Sequence, residues 1–127
     1  MAPFRFDHIH LRSPDPEAAA AVWSTAFGAR IVSRVQAGPN LRVVLDLAGV
    51  TLFLEQVPAG TLAAPAPPYI GVEHVGLLTE DLDAAMAGLE AKGVRRISGP
   101  GEPRPGVRIA FYAAPDGVQV ELLERRG

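Results

Sequence analysis

The chain contains no cysteine, which excludes disulfides, thiolate metal sites and a thiol nucleophile. Aromatic residues are scarce at 6%, which argues against a binding cleft built mainly from rings. Charge of neither sign dominates: a net charge of −2 leaves no basic face of the kind nucleic acid requires. No apolar run approaches the roughly 20 residues of a membrane span. The start, Met1-Ala2-Pro3-Phe4-Arg5, lacks the apolar core of a signal peptide. A soluble, cytoplasmic domain is therefore the expectation. The 127 residues, 48% of them hydrophobic, suffice for one ordinary core.

What the chain does have is a stretch written twice. Asp7-His8-Ile9-His10-Leu11-Arg12-Ser13-Pro14-Asp15 returns as Glu73-His74-Val75-Gly76-Leu77-Leu78-Thr79-Glu80-Asp81, at an offset of 66 residues. In both copies a histidine follows an acid, with a leucine three residues on and an aspartate seven on. Such a repeat predicts a duplicated module: module 1 over 4–56, a linker over 57–70 and module 2 over 71–125.

Within module 1, Phe4 to Arg12 alternates with a period of two and predicts a strand, Ile9 and Leu11 on one face, His8, His10 and Arg12 on the other. Asp15 is a suitable N-cap and Pro16 a suitable first helical residue. The helix to Phe27 carries Ala19, Val22, Trp23 and Ala26 as its apolar stripe, with Gly28 to end it. Strands are predicted over Ala29–Val35, Leu41–Leu47 and Val50–Gln56, separated by Gly38-Pro39-Asn40 and by Gly49. Val57 to Tyr69, with Pro58, Pro65, Pro67 and Pro68, reads as a stiff connector. Module 2 repeats the order. A strand over Val72–Leu78 leads to an Asp81-capped helix carrying Leu82, Ala85, Met86 and Leu89 and ending at Gly93. Further strands are predicted over Val94–Ile97, Val107–Tyr112 and Val118–Glu124. The segment Gly99 to Gly106 reads as a rigid loop that holds Arg104, either a lid or a connector, and Pro115-Asp116-Gly117 reads as a tight turn. Aligning Gly117 with Gly49 brings Val118, Val120 and Leu122 onto Val50, Leu52 and Leu54. The predicted class is α+β, two paired βαβββ modules forming a curved sheet around a cleft.

If each sheet packs its apolar face on its own helix, strand parity assigns the opposite, cleft-facing side chains. These are His8, His10, Arg12, Thr51, Phe53 and Glu55 in the first module and His74, Gln119 and Glu121 in the second. Imidazoles and carboxylates of this kind suit a borderline divalent ion such as Zn, Ni, Mn, Co or Fe(II). Each residue has an ordinary alternative. A histidine on a strand commonly serves only as a hydrogen-bonded structural residue. His10 serves substrate or ligand duty, or packs behind the site. Arg12 binds an anionic substrate group or pairs with a neighbouring acid. Phe53 forms an apolar wall.

The two histidine stretches and the closing Pro115-Asp116-Gly117-Val118-Gln119-Val120-Glu121-Leu122 together resemble the vicinal oxygen chelate superfamily. That superfamily includes glyoxalase I, methylmalonyl-CoA epimerase, fosfomycin-resistance enzymes, extradiol dioxygenases and bleomycin-binding proteins. The resemblance implies a divalent metal held by first and last strands, with ligands His8, His74 and Glu121. At the fourth ligand position the alignment places Phe53, which cannot ligate. Glu55, two residues on, is a further candidate through a bulge or shifted register. Trp23 stands where the family usually has tyrosine. Small members are often dimers, so a homodimer is also expected.

Three readings follow. In the first, a metal-dependent lyase or isomerase stabilises an enediolate on a small substrate chelated through adjacent oxygens, as in lactoylglutathione lyase or acyl-CoA epimerases. Glu55 or Glu121 then moves the proton, and His10, Arg12, Phe53 and Gln119 contact the substrate. An Fe(II) dioxygenase is a variant that chain length disfavours. The second reading is a metal-free protein that binds a drug or metabolite. The third is an inactive scaffold that retains old ligands.

Overall fold

The computed structural model describes residues 2–126. It divides into two compact units, Met1–Leu62 and Ala63–Gly127, with the same element order in each. The first holds β1 (Ile9–Ser13), α1 (Pro16–Thr25), β2 (Arg30–Ala37), β3 (Asn40–Leu47) and β4 (Val50–Gln56). The second holds β5 (His74–Leu78), α2 (Leu82–Ala91), β6 (Arg96–Arg104), β7 (Val107–Ala113) and β8 (Gln119–Arg125). The sheets run β1-β4-β3-β2 and β5-β8-β7-β6. In each, the first strand lies parallel to the last, and the other pairings are antiparallel. The α+β class and the βαβββ modules are as the repeat predicts.

Identical local chemistry builds the two helices. Asp15 accepts a hydrogen bond from the Ala18 N–H at 3.1 Å, and Asp81 accepts one from Ala84 at 3.0 Å. Each satisfies a donor that the first helical turn would otherwise leave free. In α1 the buried face is Pro16, Ala19, Ala20 and Trp23. Val22 is exposed, contrary to the expected stripe, because Ala20 takes the place beside Ala19. In α2 the buried residues are Leu82, Met86 and Leu89. Val43, Leu45, Leu52 and Leu54 complete the first core, and Ala110, Tyr112, Val120 and Leu122 the second. The alternating residues of β4 and β8 are thereby left for the opposite faces.

Several strand boundaries differ from expectation, the strand expected from Val72 beginning at His74 among them, and two of the differences have a physical reason. β1 begins at Ile9, where pairing with Leu52 of β4 starts; the alternation from Phe4 onward has no partner strand, and Phe4 and Phe6 are exposed. β6 runs through most of the expected loop, and Arg104 is its last residue, opposite Val107. Its prolines are tolerated because β6 is an edge strand, where a missing N–H breaks no ladder on the outer side. Three register shifts let the chain pass them. Gly99, at φ +95°, is required there: a Cβ would stand 2.9 Å from the Ala110 Cα.

Glu124 ties the second sheet to its helix. It lies on the same strand face as Val120 and Leu122, and its buried carboxylate accepts from the Leu82 N–H at 2.8 Å and from Arg126 Nε at 2.6 Å. The Leu82 N–H first, and Arg126 after it, hold the carboxyl below the ordinary glutamate value of 4.5 against the opposing effect of burial. A lowered folded pKa contributes stability above the unfolded value that is lost as pH falls through the folded one. Glu124→Gln is therefore expected to destabilise the protein near neutral pH and to flatten the decline of stability below about pH 4.5. Urea unfolding along a descending pH series checks this, and an unchanged acid slope would contradict it.

Candidate functional site

Each unit presents an imidazole and a carboxylate on the face away from its helix, and the two sets differ in detail. In the second unit the parallel pairing of β5 with β8 sets His74 opposite Gln119 and Gly76 opposite Glu121. His74 Nδ1 lies 3.0 Å from Glu73 Oε1, and its Nε2 lies 3.3 Å from Glu121 Oε1. A carboxylate on Nδ1 fixes the tautomer and turns the Nε2 lone pair outward. That lone pair then faces a carboxylate oxygen, an arrangement that calls for a proton or a cation between them. Phe111, opposite Glu121 on β7, meets the His74 ring edge-on at 5.1 Å. Gly76 adds no side chain; a Cβ there would lie 3.8 Å from Glu121 Oε1. Gln119 is 7% exposed, yet its Nε2 has no hydrogen-bond partner among the described residues. A buried orphan donor of this kind is uncommon and costly.

In the first unit the corresponding pair is His10 and Glu55. His10 Nε2 lies 3.4 Å from Glu55 Oε1, but Glu55 has stronger partners. Arg42 donates from Nε and Nη2 to Glu55 Oε1 at 3.0 and 2.6 Å, and Arg12 Nη1 donates to Oε2 at 3.0 Å. The three stand in one row across β1, β4 and β3, since Arg12 and Arg42 are both register partners of Glu55. The Arg42 hydrogen bonds, reinforced by the charges of Arg42 and Arg12, hold the Glu55 carboxyl below the usual glutamate value. This is opposite to the raised value expected of a proton-moving base. Burial first, and the Arg12 charge after it, push His10 below the ordinary histidine value.

His8 has a different setting from His74. Its Nδ1 lies 2.6 Å from Asp7 Oδ2, matching the acid that precedes His74. Its ring, however, stacks on Phe53 at 3.9 Å and 19°. Phe53 also meets His10 edge-on and lies 4.8 Å from the Arg42 guanidinium carbon. Phe53 is thus a packing partner of three polar side chains.

Arg42 is the residue that sequence reasoning missed. Its position could have been counted: the two-residue turn Ala48-Gly49 pairs Leu47 with Val50 and so carries Arg42 to Glu55. The slip in the first unit was also readable. The histidines repeat at an offset of 66, but Gly49 and Gly117 at 68, so the carboxylate nearest a histidine moves one pleat along.

Two ligands bound about 2.0–2.2 Å from one metal stand roughly 3.0–3.5 Å apart at tetrahedral or octahedral angles. The His74–Glu121 separation fits that spacing, and imidazole with carboxylate fits the borderline divalent ions. His10 and Glu55 fit it in distance alone, because both Glu55 oxygens already accept from guanidinium groups. Within neither unit do three or more His, Asp or Glu side chains of the described residues gather as a metal-holding group. No helix among the described residues is long and apolar enough to cross a membrane.

Comparison with known proteins follows the same outline. The model of the Glyoxalase/Bleomycin resistance protein/Dioxygenase superfamily matches residues 5–122. The uncharacterized protein YaeR of Escherichia coli K12 is 34% identical over 59 residues, 46% of this chain and 46% of that protein, so the match spans about half of the relative's length. A glyoxalase I mutant from Zea mays is 20% identical with a TM-score of 0.77, over 97% of this chain and 45% of that one. A genomically encoded fosfomycin resistance protein from Listeria monocytogenes is 14% identical with a TM-score of 0.77, over 98% and 96%. At these identities the two structures establish the fold alone.

Proposed function

Because the chain belongs to the Glyoxalase/Bleomycin resistance protein/Dioxygenase superfamily, we propose that it is a metal-dependent lyase or isomerase whose chemistry is carried by the second unit. The observation behind this reading is the His74 Nε2 lone pair held 3.3 Å from Glu121 Oε1, with Glu73 on the other ring nitrogen. His74 and Glu121 would hold a divalent ion; in the first unit His8 has the same kind of acid contact, to Asp7. Bound there, the ion supplies Lewis-acid stabilisation of negative charge developing on adjacent substrate oxygens. Glu121 is then the group that moves the proton on carbon, since Glu55 is neutralised by Arg42 and Arg12. Gln119 donates its unpartnered amide N–H to a substrate oxygen and positions it beside His74. The substrate class is a small carbonyl compound with an acidic carbon–hydrogen bond, a hemithioacetal or a 2-substituted acyl thioester.

The test is solvent deuterium exchange. Metal-loaded protein is expected to exchange the proton beside the carbonyl of one such compound, and Glu121→Gln to lower the rate by about 100-fold or more. Exchange that is absent for both compound types, or equal in the variant, would overturn the proposal.

One observation favours a second reading, a metal-free protein that binds a small molecule. Phe53 stacked on His8, together with the guanidinium groups on Glu55, removes donors from the first unit that a four-ligand site would use. Under this reading chelator treatment leaves small-molecule binding unchanged.

A further inference from the structure

Register divides the open face of the second sheet into rows that cross it strand by strand. His74, Gln119 and Ala113 form one row, Gly76, Glu121 and Phe111 the next, and Leu78, Leu123 and Ile109 the one after. The chemistry described above uses the first two rows and leaves the third. In the first unit the matching row is Arg12, Glu55 and Arg42, a carboxylate between two cations. The repeat thus places three aliphatic side chains where its other copy carries only charge. Leu78 is 66% exposed, and Leu123 and Ile109 are half-buried. Covering such a row is favourable in proportion to the apolar area removed from water.

Gly76 joins this row to the site. Its φ is not positive, so the backbone does not call for glycine, and a glycine inside a strand weakens it. A Cβ there would lie 3.4 Å from Leu123 Cδ1 and 3.8 Å from Glu121 Oε1, ordinary van der Waals contact that alanine would satisfy. What glycine supplies is space, a notch that runs from the Glu121 carboxylate to the Leu123 side chain. The first unit fills the same repeat position with His10. Glycine in a strand interior often marks the close approach of a ligand.

We propose that the Leu78–Leu123–Ile109 row seats an alkyl or aryl substituent of the substrate, and that the Gly76 notch admits it beside Glu121. The inference rests on the reading of His74 and Glu121 as the reacting centre and narrows its substrate to compounds whose reacting carbon carries a hydrocarbon group. A charged or peptide-like group there would lose its hydration and gain no polar partner from these three side chains.

The probes are acetohydroxamic, butyrohydroxamic and hexanohydroxamic acids, uncharged compounds that present two adjacent oxygens on a lengthening chain. Each is titrated into Zn-loaded and chelator-treated full chain while the methyl signals of Leu78, Leu123 and Ile109 are followed by nuclear magnetic resonance. Affinity should rise about threefold per added methylene, and the hexyl member should shift all three residues. Leu78→Asn and Gly76→Ala should each weaken the hexyl member at least about fivefold more than the acetyl one. Gly76→Ala should also be at least as stable as wild type to urea, so a purely structural glycine would show no such loss. A flat series in Zn-loaded protein, or a slope unchanged in both variants, would overturn the inference and leave the metal reading standing. The same slope in chelator-treated protein would sink the metal reading and leave the apolar row. Failure of every member to bind would sink both. A flat series with a dimer lost in Leu78→Asn, read by sedimentation, would give the row to a second copy and overturn the inference.

Discussion

Trp23→Ala is expected to destabilise the protein by about 3–5 kcal/mol, the range for truncating a large buried aromatic. Trp23 is 1% exposed and stands on α1 above the buried Val43, Leu45, Leu52 and Leu54 of the first sheet, with Phe27 at 5.3 Å between ring centres. Most of the helix's other buried side chains are alanines, too small to fill the space that the indole leaves. Small domains have only about 5–15 kcal/mol of stability in total, so the variant should retain little margin. Trp23→Phe, which keeps much of the buried area, should cost markedly less. Urea unfolding of the two variants checks the pair of values. A loss below about 1 kcal/mol for alanine would mean that the tryptophan does not hold α1 on the sheet.

The second large effect is an asymmetry between two glutamates that the repeat makes look equivalent. Glu121→Gln should lower divalent-ion affinity by roughly 100-fold or more, because it removes the carboxylate that faces His74 Nε2, which no guanidinium of the described residues engages. Glu55→Gln should change the same affinity by less than about threefold, since its oxygens are engaged by Arg42 and Arg12 before any metal arrives. Each pair has nearly the same nitrogen-to-oxygen distance, 3.3 and 3.4 Å, so distance alone would predict equal losses. The difference lies in what else touches the carboxylate. Isothermal titration of both variants with Zn or Mn measures it directly.

Much of this was legible in the sequence, for identifiable reasons. Strand parity follows a period of two wherever no bulge interrupts the strand, as in β4, so Leu52 and Leu54 went inward and Phe53 and Glu55 outward. The aspartate caps were readable because Asp15 and Asp81 act within four residues of themselves. The extent of β6 was not readable: Gly99, Pro100, Gly101 and Pro103 carry loop chemistry, and only their place on a sheet edge makes them a strand. The arrangement around Glu55 was half readable. Its strand face followed from pattern, but its guanidinium partners depend on cross-strand register, and the register of β1 against β4 is set by packing rather than by a turn. That is why Arg12 could be assigned either to an anion or, the favoured choice, to a neighbouring acid; Arg42, by contrast, could have been counted from the Ala48-Gly49 turn.

If His74 and Glu121 hold a divalent ion, the metal content of the protein shows it. Chelator-stripped wild-type protein is reloaded in turn with Zn, Ni, Mn, Co and Fe(II), freed of excess ion and assayed by mass spectrometry, beside His74→Ala. About one ion per chain is expected for at least one metal, lost in the variant. Wild-type protein that stays empty with every metal, or a variant that retains its ion, would contradict it.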